Sequence, residues 1–152
     1  RVGEGGVSMA EGWRPNTPPM RAADRLSVLA DNPVVIIHFW AAWNGVDRLF
    51  APVLEGVRSE FEGRIAFRSA DVDDVDLVKF CQESKVVNVP ALGCFVGGQR
   101  VKTIVGCRPA EVLRAEFAAL LGETVTPDQP VQQTRSPAGF LGWLSSLWRR
   151  CC

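Results

Sequence analysis

Groups able to do chemistry are few in this sequence, and their spacing is informative. Five cysteines stand at positions 81, 94, 107, 151 and 152, and the one histidine is His38. Dithiol exchange needs a thiolate and a second thiol placed to resolve the mixed disulfide, commonly as Cys-x-x-Cys, and no such spacing occurs. One histidine among cysteines so spaced supplies no zinc ligand set, so no metal or other cofactor is expected. Asp71, Asp73, Asp74 and Asp76 cluster without the glycine and terminal glutamate of a calcium loop, and read as a solvated turn leading into a helix. Asn44 and Asp47 stand three apart at the head of an apolar run of helical period. Asn is among the best N-caps, and an acid in the first turn favours the helix dipole, so the pair resembles a capping box in placement. Cys107 has two readings: a lone reactive thiol assisted by the charge of Arg108, or a small residue at a strand end. Cys94 and Cys81 read as buried structural residues, and His38, inside an apolar run, as a neutral core histidine.

Composition bounds the setting. The 152 residues are 47% hydrophobic and 22% charged, a globular balance. Seventeen basic residues match seventeen acidic ones, so no basic surplus supports nucleic-acid binding. No apolar run reaches the roughly 18–20 residues that span a bilayer, and the first twenty residues lack the core of a secretory signal. A cytoplasmic location is therefore expected, or the cytosolic face of a membrane. The chain begins at Arg1, and Met9-Ala10 reads as a start, which leaves residues 1–8 outside the fold.

The elements that must position these groups follow from periodicity. Residues 20–30 predict a short helix ended by Asp31-Asn32-Pro33. Val34 to Trp40 is a β-branched and aromatic run suited to a strand covered on both faces. Leu49, Phe50, Val53, Leu54, Val57 and Phe61 predict a helix over 45–62, with a kink at Pro52. A second strand runs from Ile65 to about Ala70, a helix over 75–84, and a third strand from Ala91 to Val96. Gly97-Gly98 turns the chain into a returning strand, Arg100 to Val105. Pro109 opens a last helix that Gly122 stops. The order predicts an α/β fold with a mixed central sheet flanked by helices.

These residues carry a family resemblance. The strand before Phe39-Trp40-Ala41-Ala42-Trp43, the four-residue turn after it and the proline-containing helix resemble the thioredoxin signature region. Asn88-Val89-Pro90, followed by a strand and a Gly-Gly hairpin, resembles the family's cis-proline segment, and Val105-Gly106 resembles the loop bordering its active site. The resemblance covers about residues 20–121 and implies a thioredoxin fold. It also exposes a departure. Thioredoxins place Cys-Gly-Pro-Cys after the tryptophan, whereas Trp43 is followed by Asn44-Gly45-Val46-Asp47, and His38 occupies the position of the family's buried acid. The resemblance implies a peptide-docking patch of Trp43, Val89, Pro90, Gly106 and Cys107, which needs no redox cysteines because backbone beside a cis-proline can pair with an extended peptide.

Four segments are expected: a disordered N-terminal segment 1–19, a thioredoxin-like domain 20–122, a Pro/Gln/Thr linker 123–138 and an amphipathic segment 139–152. On a helix, Phe140, Leu141, Leu144, Leu147 and Trp148 share an arc of about 120°, with Arg149 and Arg150 at one end, a pattern that suits a membrane interface. Docking on the domain or on a partner is the alternative. Cys151 and Cys152 are candidate lipidation sites. The function expected is that of a redox-inactive binding, adaptor or chaperone-like module for a protein or peptide partner, tethered through this tail. The alternative is a non-standard thiol oxidoreductase using Cys107 or Cys151/Cys152.

Overall fold

The protein is described by a computed structural model over residues 12–122. The linker, the amphipathic segment with Cys151 and Cys152, and residues 1–11 lie outside the described residues.

The elements run α1 (Arg25–Asp31), preceded by a 3-10 turn Ala22–Asp24, then β1 (Val34–Trp40), α2 (Gly45–Glu60) and β2 (Ala66–Asp71). A second 3-10 turn, Val75–Leu77, leads into α3 (Val78–Glu83), followed by β3 (Ala91–Val96), β4 (Gln99–Val105) and α4 (Ala110–Leu120). The helix expected over 75–84 is thus divided into a 3-10 turn, capped by Asp74 accepting from Asp76 N at 2.9 Å, and the α-helix from Val78. Pro52 lies inside α2, which continues to Glu60.

The four strands form one mixed sheet in the order β2-β1-β3-β4. β1 pairs parallel with β2 across the α2 crossover and antiparallel with β3, while β3 and β4 form the hairpin. Gly97 and Gly98 turn it with φ of +60° and +82°, angles that a β-carbon disfavours. β1 is buried along its whole length because helices cover both its faces. Its alternation divides the core in two. Val34 and Ile36 join Phe50, Leu54 and Val57 of α2 and Leu113 and Phe117 of α4. Val35, Ile37 and Phe39 join Val28 of α1 and Leu77, Phe80 and Cys81 around α3. His38 follows Ile36 on the α2 side, its ring edge-on to Phe50 with centroids 5.7 Å apart.

The expected disorder of residues 1–19 does not hold for the part that is described. Ser69 N donates to Pro18 O at 2.7 Å, Met20 N donates to Ser69 O at 2.8 Å, and the Ser69 hydroxyl donates to Thr17 O at 2.9 Å. Thr17 and Met20 are buried, and Trp13 packs edge-on against Trp40. The physical reason is the edge of β2, whose backbone groups would otherwise be unpaired; the N-terminal segment covers them.

Candidate functional site

The site forms where β1 ends, α2 begins and the chain enters β3. α2 starts at Gly45 because Asn44 is an extended residue whose side-chain oxygen accepts from Val46 N at 2.9 Å, satisfying one of the donors a helix start leaves open. The same amide donates through Nδ2 to the carbonyl of Val89 at 2.8 Å. Its two ends therefore face partners of fixed character, a donor and an acceptor, which sets the orientation of the amide.

Asp47 lies in the first turn of α2, as expected, but it does not complete a capping box. Asn44 N donates to Ala41 O, while the Asp47 carboxylate turns inward. Its side chain is fully buried, with Oδ1 3.1 Å from His38 Nε2 and Oδ2 accepting from Ala41 N at 3.1 Å. His38 is buried as well, with 1% of its surface exposed. His38 and Asp47, read separately as a neutral core histidine and a first-turn acid favoured by the helix dipole, are one buried pair that ties α2 to the end of β1. Desolvating such groups is costly unless they are hydrogen-bonded, and here both carboxylate oxygens are. Among the described residues His38 Nδ1 has no hydrogen-bond partner, whereas Nε2, facing a carboxylate that can only accept, is the nitrogen placed to donate.

Trp43 caps the rim. Its side chain is 65% exposed, and its indole N–H donates to Asp73 Oδ2 at 2.8 Å. Asp71 also accepts from Asp73 N at 2.9 Å, so the acidic turn satisfies its own backbone and anchors Trp43. The peptide bond Val89-Pro90 is cis, and Gly106, at φ +92°, donates to Pro90 O at 2.8 Å. Trp43, Asn44, Val89, Pro90 and Gly106 are thereby joined to one end of the sheet.

Cys107 does not belong to this rim. It is 6% exposed and packs in the core cluster with Ile104, Leu113 and Phe117, and Arg108 donates to its carbonyl at 2.7 Å. Strand β4 has ended there, and the chain turns inward toward α4, which carries the side chain into the core. Cys81 and Cys94 are buried too. Burial pushes the Cys94 thiol up to about 12 and, with the nearby charge of Asp71 and Asp74, the Cys81 thiol up to about 11. Neither forms thiolate readily near neutral pH. Among the described residues no group of His, Cys, Asp and Glu is arranged to hold a metal ion, and no helix is long and apolar enough to cross a membrane.

Sequence reasoning missed four bonds: His38–Asp47, Asn44–Val89, Asn88–Val89 and Trp43–Asp73. The signal for the first was present, since an imidazole at the end of β1 and a carboxylate one turn into the following helix are complementary. Asn88, beside Val89-Pro90, accepts from Val89 N through Oδ1 at 2.9 Å.

Comparison with known proteins agrees with this architecture. The Thioredoxin family model matches residues 22–119. The chain is 40% identical over 91 residues to a bifunctional thioredoxin reductase/thioredoxin of Mycobacterium leprae, a match covering 60% of this chain and 19% of that longer protein. It is 33% identical over 95 residues to a thioredoxin of Alicyclobacillus acidocaldarius, covering 62% of this chain and 88% of the relative. In fold it is similar to a mutant thioredoxin from Halobacterium salinarum, with a TM-score of 0.60 and 24% identity, covering 76% of this chain and all of that one. The family match extends over most of the described domain and includes β1, α2 and the Val89-Pro90 segment, so the chain belongs to the thioredoxin family.

Proposed function

We propose that this chain is a thioredoxin-family module that binds a protein or peptide without exchanging disulfides, as an adaptor or chaperone-like component. One observation carries this reading: both residues at the positions of the family's redox cysteines are engaged in structural bonds. Asn44 caps α2 and holds Val89, and Asp47 is buried against His38. An amide and a carboxylate supply neither an attacking nor a resolving thiol. The rim above them keeps Trp43 exposed, and an exposed tryptophan offers the large, rigid contact area that interface hot spots use. The burial of Cys107 speaks against its use as a lone redox thiol.

The test is insulin disulfide reduction by the purified full chain with dithiothreitol as electron donor. The expected rate equals that of dithiothreitol alone; turnover above it overturns the proposal. The tail's proposed role is to tether the module at the cytosolic face of a membrane, motivated by the Phe140–Trp148 pattern and Cys151-Cys152. The intact mass of protein isolated from its own cells, with thiols alkylated at lysis, checks this. Added lipid mass on the C-terminal fragment is the expected result, and five alkylated thiols with no added mass would remove a covalent anchor.

A further inference from the structure

Val89 lies just before β3, where sheet pairing stops. Ala91 pairs with Phe39 of β1 on one side and with Val105 of β4 on the other, and among the described residues no strand continues alongside Val89. β3 is a central strand, so Val89 lies beyond the end of a strand and not on a sheet edge; its backbone N–H and C=O, outside the ladder, are the groups that an extended segment laid across this end of the sheet would pair with. Neither is open. The carbonyl accepts from Asn44 Nδ2 at 2.8 Å, and the N–H donates to Asn88 Oδ1 at 2.9 Å. Two side chains imitate the two hydrogen bonds of an incoming strand.

We infer that Asn44 and Asn88 form a built-in competitor that occupies the backbone groups of Val89 at this end of the sheet, so that an extended peptide pairs with Val89 only when both amides turn away. The inference rests on the binding role proposed above and specifies its regulation. Asparagine suits the task at position 44. Its oxygen caps the helix while its nitrogen reaches a carbonyl, whereas serine or aspartate caps equally well but brings no comparable donor to Val89. Swinging Asn44 out costs the cap bond as well as the Val89 bond, since one rigid amide makes both. The latch is thus coupled to the start of α2, and a partner bound with the latch closed contacts the rim through side chains, Trp43 foremost.

The test separates the latch from the cap. In the full chain, Asn44→Ser keeps an N-cap oxygen and removes the donor to Val89, and Asn88→Ala, at an exposed position, frees the Val89 N–H. The probe is insulin B chain with its cysteines carboxymethylated, a thiol-free polypeptide, titrated into 15N-labelled protein. Two hydrogen-bonding groups become available, so the double variant is expected to bind at least tenfold more tightly than the unaltered chain, with the Val89 amide among the resonances that move. Equal affinity in both proteins overturns the inference, as does tighter binding that leaves the Val89 amide unmoved, or no binding in either. A single cooperative thermal transition, and amide resonances that keep their positions away from Asn44, Asn88 and Val89, certify the fold of the variant. In the ligand-free unaltered chain, the Asn44 carboxamide protons are expected to exchange slowly; fast exchange refutes the latch independently of any peptide. Insulin reduction stays a separate readout, so failure of the latch and failure of the redox-inactive reading are distinguishable.

Discussion

Replacing Asp47 by asparagine is the sharpest test of the buried pair. The shape of the side chain is kept and its charge removed. The carboxylate receives two N–H bonds, from His38 Nε2 and Ala41 N, each 3.1 Å long. An amide has one oxygen to offer. If that oxygen keeps Ala41, its NH2 faces His38 Nε2, and the imidazole must move its proton to Nδ1, which has no acceptor. If the amide turns over, its NH2 meets the Ala41 N–H. Either way at least one buried donor is unsatisfied, at a cost of about 1–3 kcal/mol, and one charge-assisted bond is weakened by about 1 kcal/mol. The expected loss is about 2–4 kcal/mol, a sizeable part of the roughly 5–15 kcal/mol that stabilises a domain. His38→Leu alone leaves the buried carboxylate with one bond, and breaking a buried pair from one side costs about 3–5 kcal/mol. In that background Asp47→Asn removes an uncompensated charge, so its effect should change sign and become neutral or stabilising. Urea unfolding of the four proteins, followed by tryptophan fluorescence, gives the cycle. A loss below about 0.5 kcal/mol for Asp47→Asn, or the same loss in both backgrounds, refutes the reasoning.

Three further outcomes are expected. Asn44→Ala should lower stability by about 1–3 kcal/mol, since the cap alone is worth about 0.5–2 kcal/mol and the Val89 carbonyl also loses its donor, whereas Asn44→Ser should recover most of the cap; thermal unfolding of both variants checks the difference. Gly93→Ala should destabilise by about 1–3 kcal/mol in urea unfolding, because a β-carbon there meets Phe95 Cε2 at 2.9 Å and Phe39 Cε2 at 3.0 Å, both rings fixed in the core. Cys81 and Cys94 should resist Ellman's reagent at pH 8 in the folded chain. Because their thiols ionise at about 11 and about 12 when folded and from the ordinary 9.0 when unfolded, the folded chain holds more protons in that interval. Stability is therefore intact below about pH 9 and falls as pH rises through about 11 and 12, and a Cys81→Ala/Cys94→Ala variant should show a flatter alkaline decline in urea midpoint.

Much of the fold was legible in the residues, because β1, α2, the hairpin and α4 each announce themselves locally. The run Val34–Ile37, continued past His38 by Phe39 and Trp40, requires cover on both faces, and helices on both sides of β1 supply it. The spacing of Phe50, Leu54 and Val57 selects the face of α2 that enters the core, and Gly97-Gly98 permits the tight turn between β3 and β4. The absence of sulfur at positions 44 and 47 is likewise a fact of sequence, and so is the capping role of Asn44, since a cap acts within its own helix turn.

Tertiary structure decided what those side chains face. Asp47 has the first-turn position that periodicity assigns it, yet its direction depends on His38, nine residues earlier on a different element. Asn44 reaches Val89 across 45 residues, and Trp43 reaches Asp73 across 30. Residues 17–19 look like loop by composition because their order comes from the edge of β2, a partner about fifty residues away. Cys107 follows a strand and a glycine as a rim residue would, but the path of the chain into α4 turns its side chain into the core. Caps, turns and amphipathic faces are set by neighbours within a few residues, and sequence alone determines them. Pairing between buried polar groups is set by which elements the packed sheet brings together, and only the folded chain determines that.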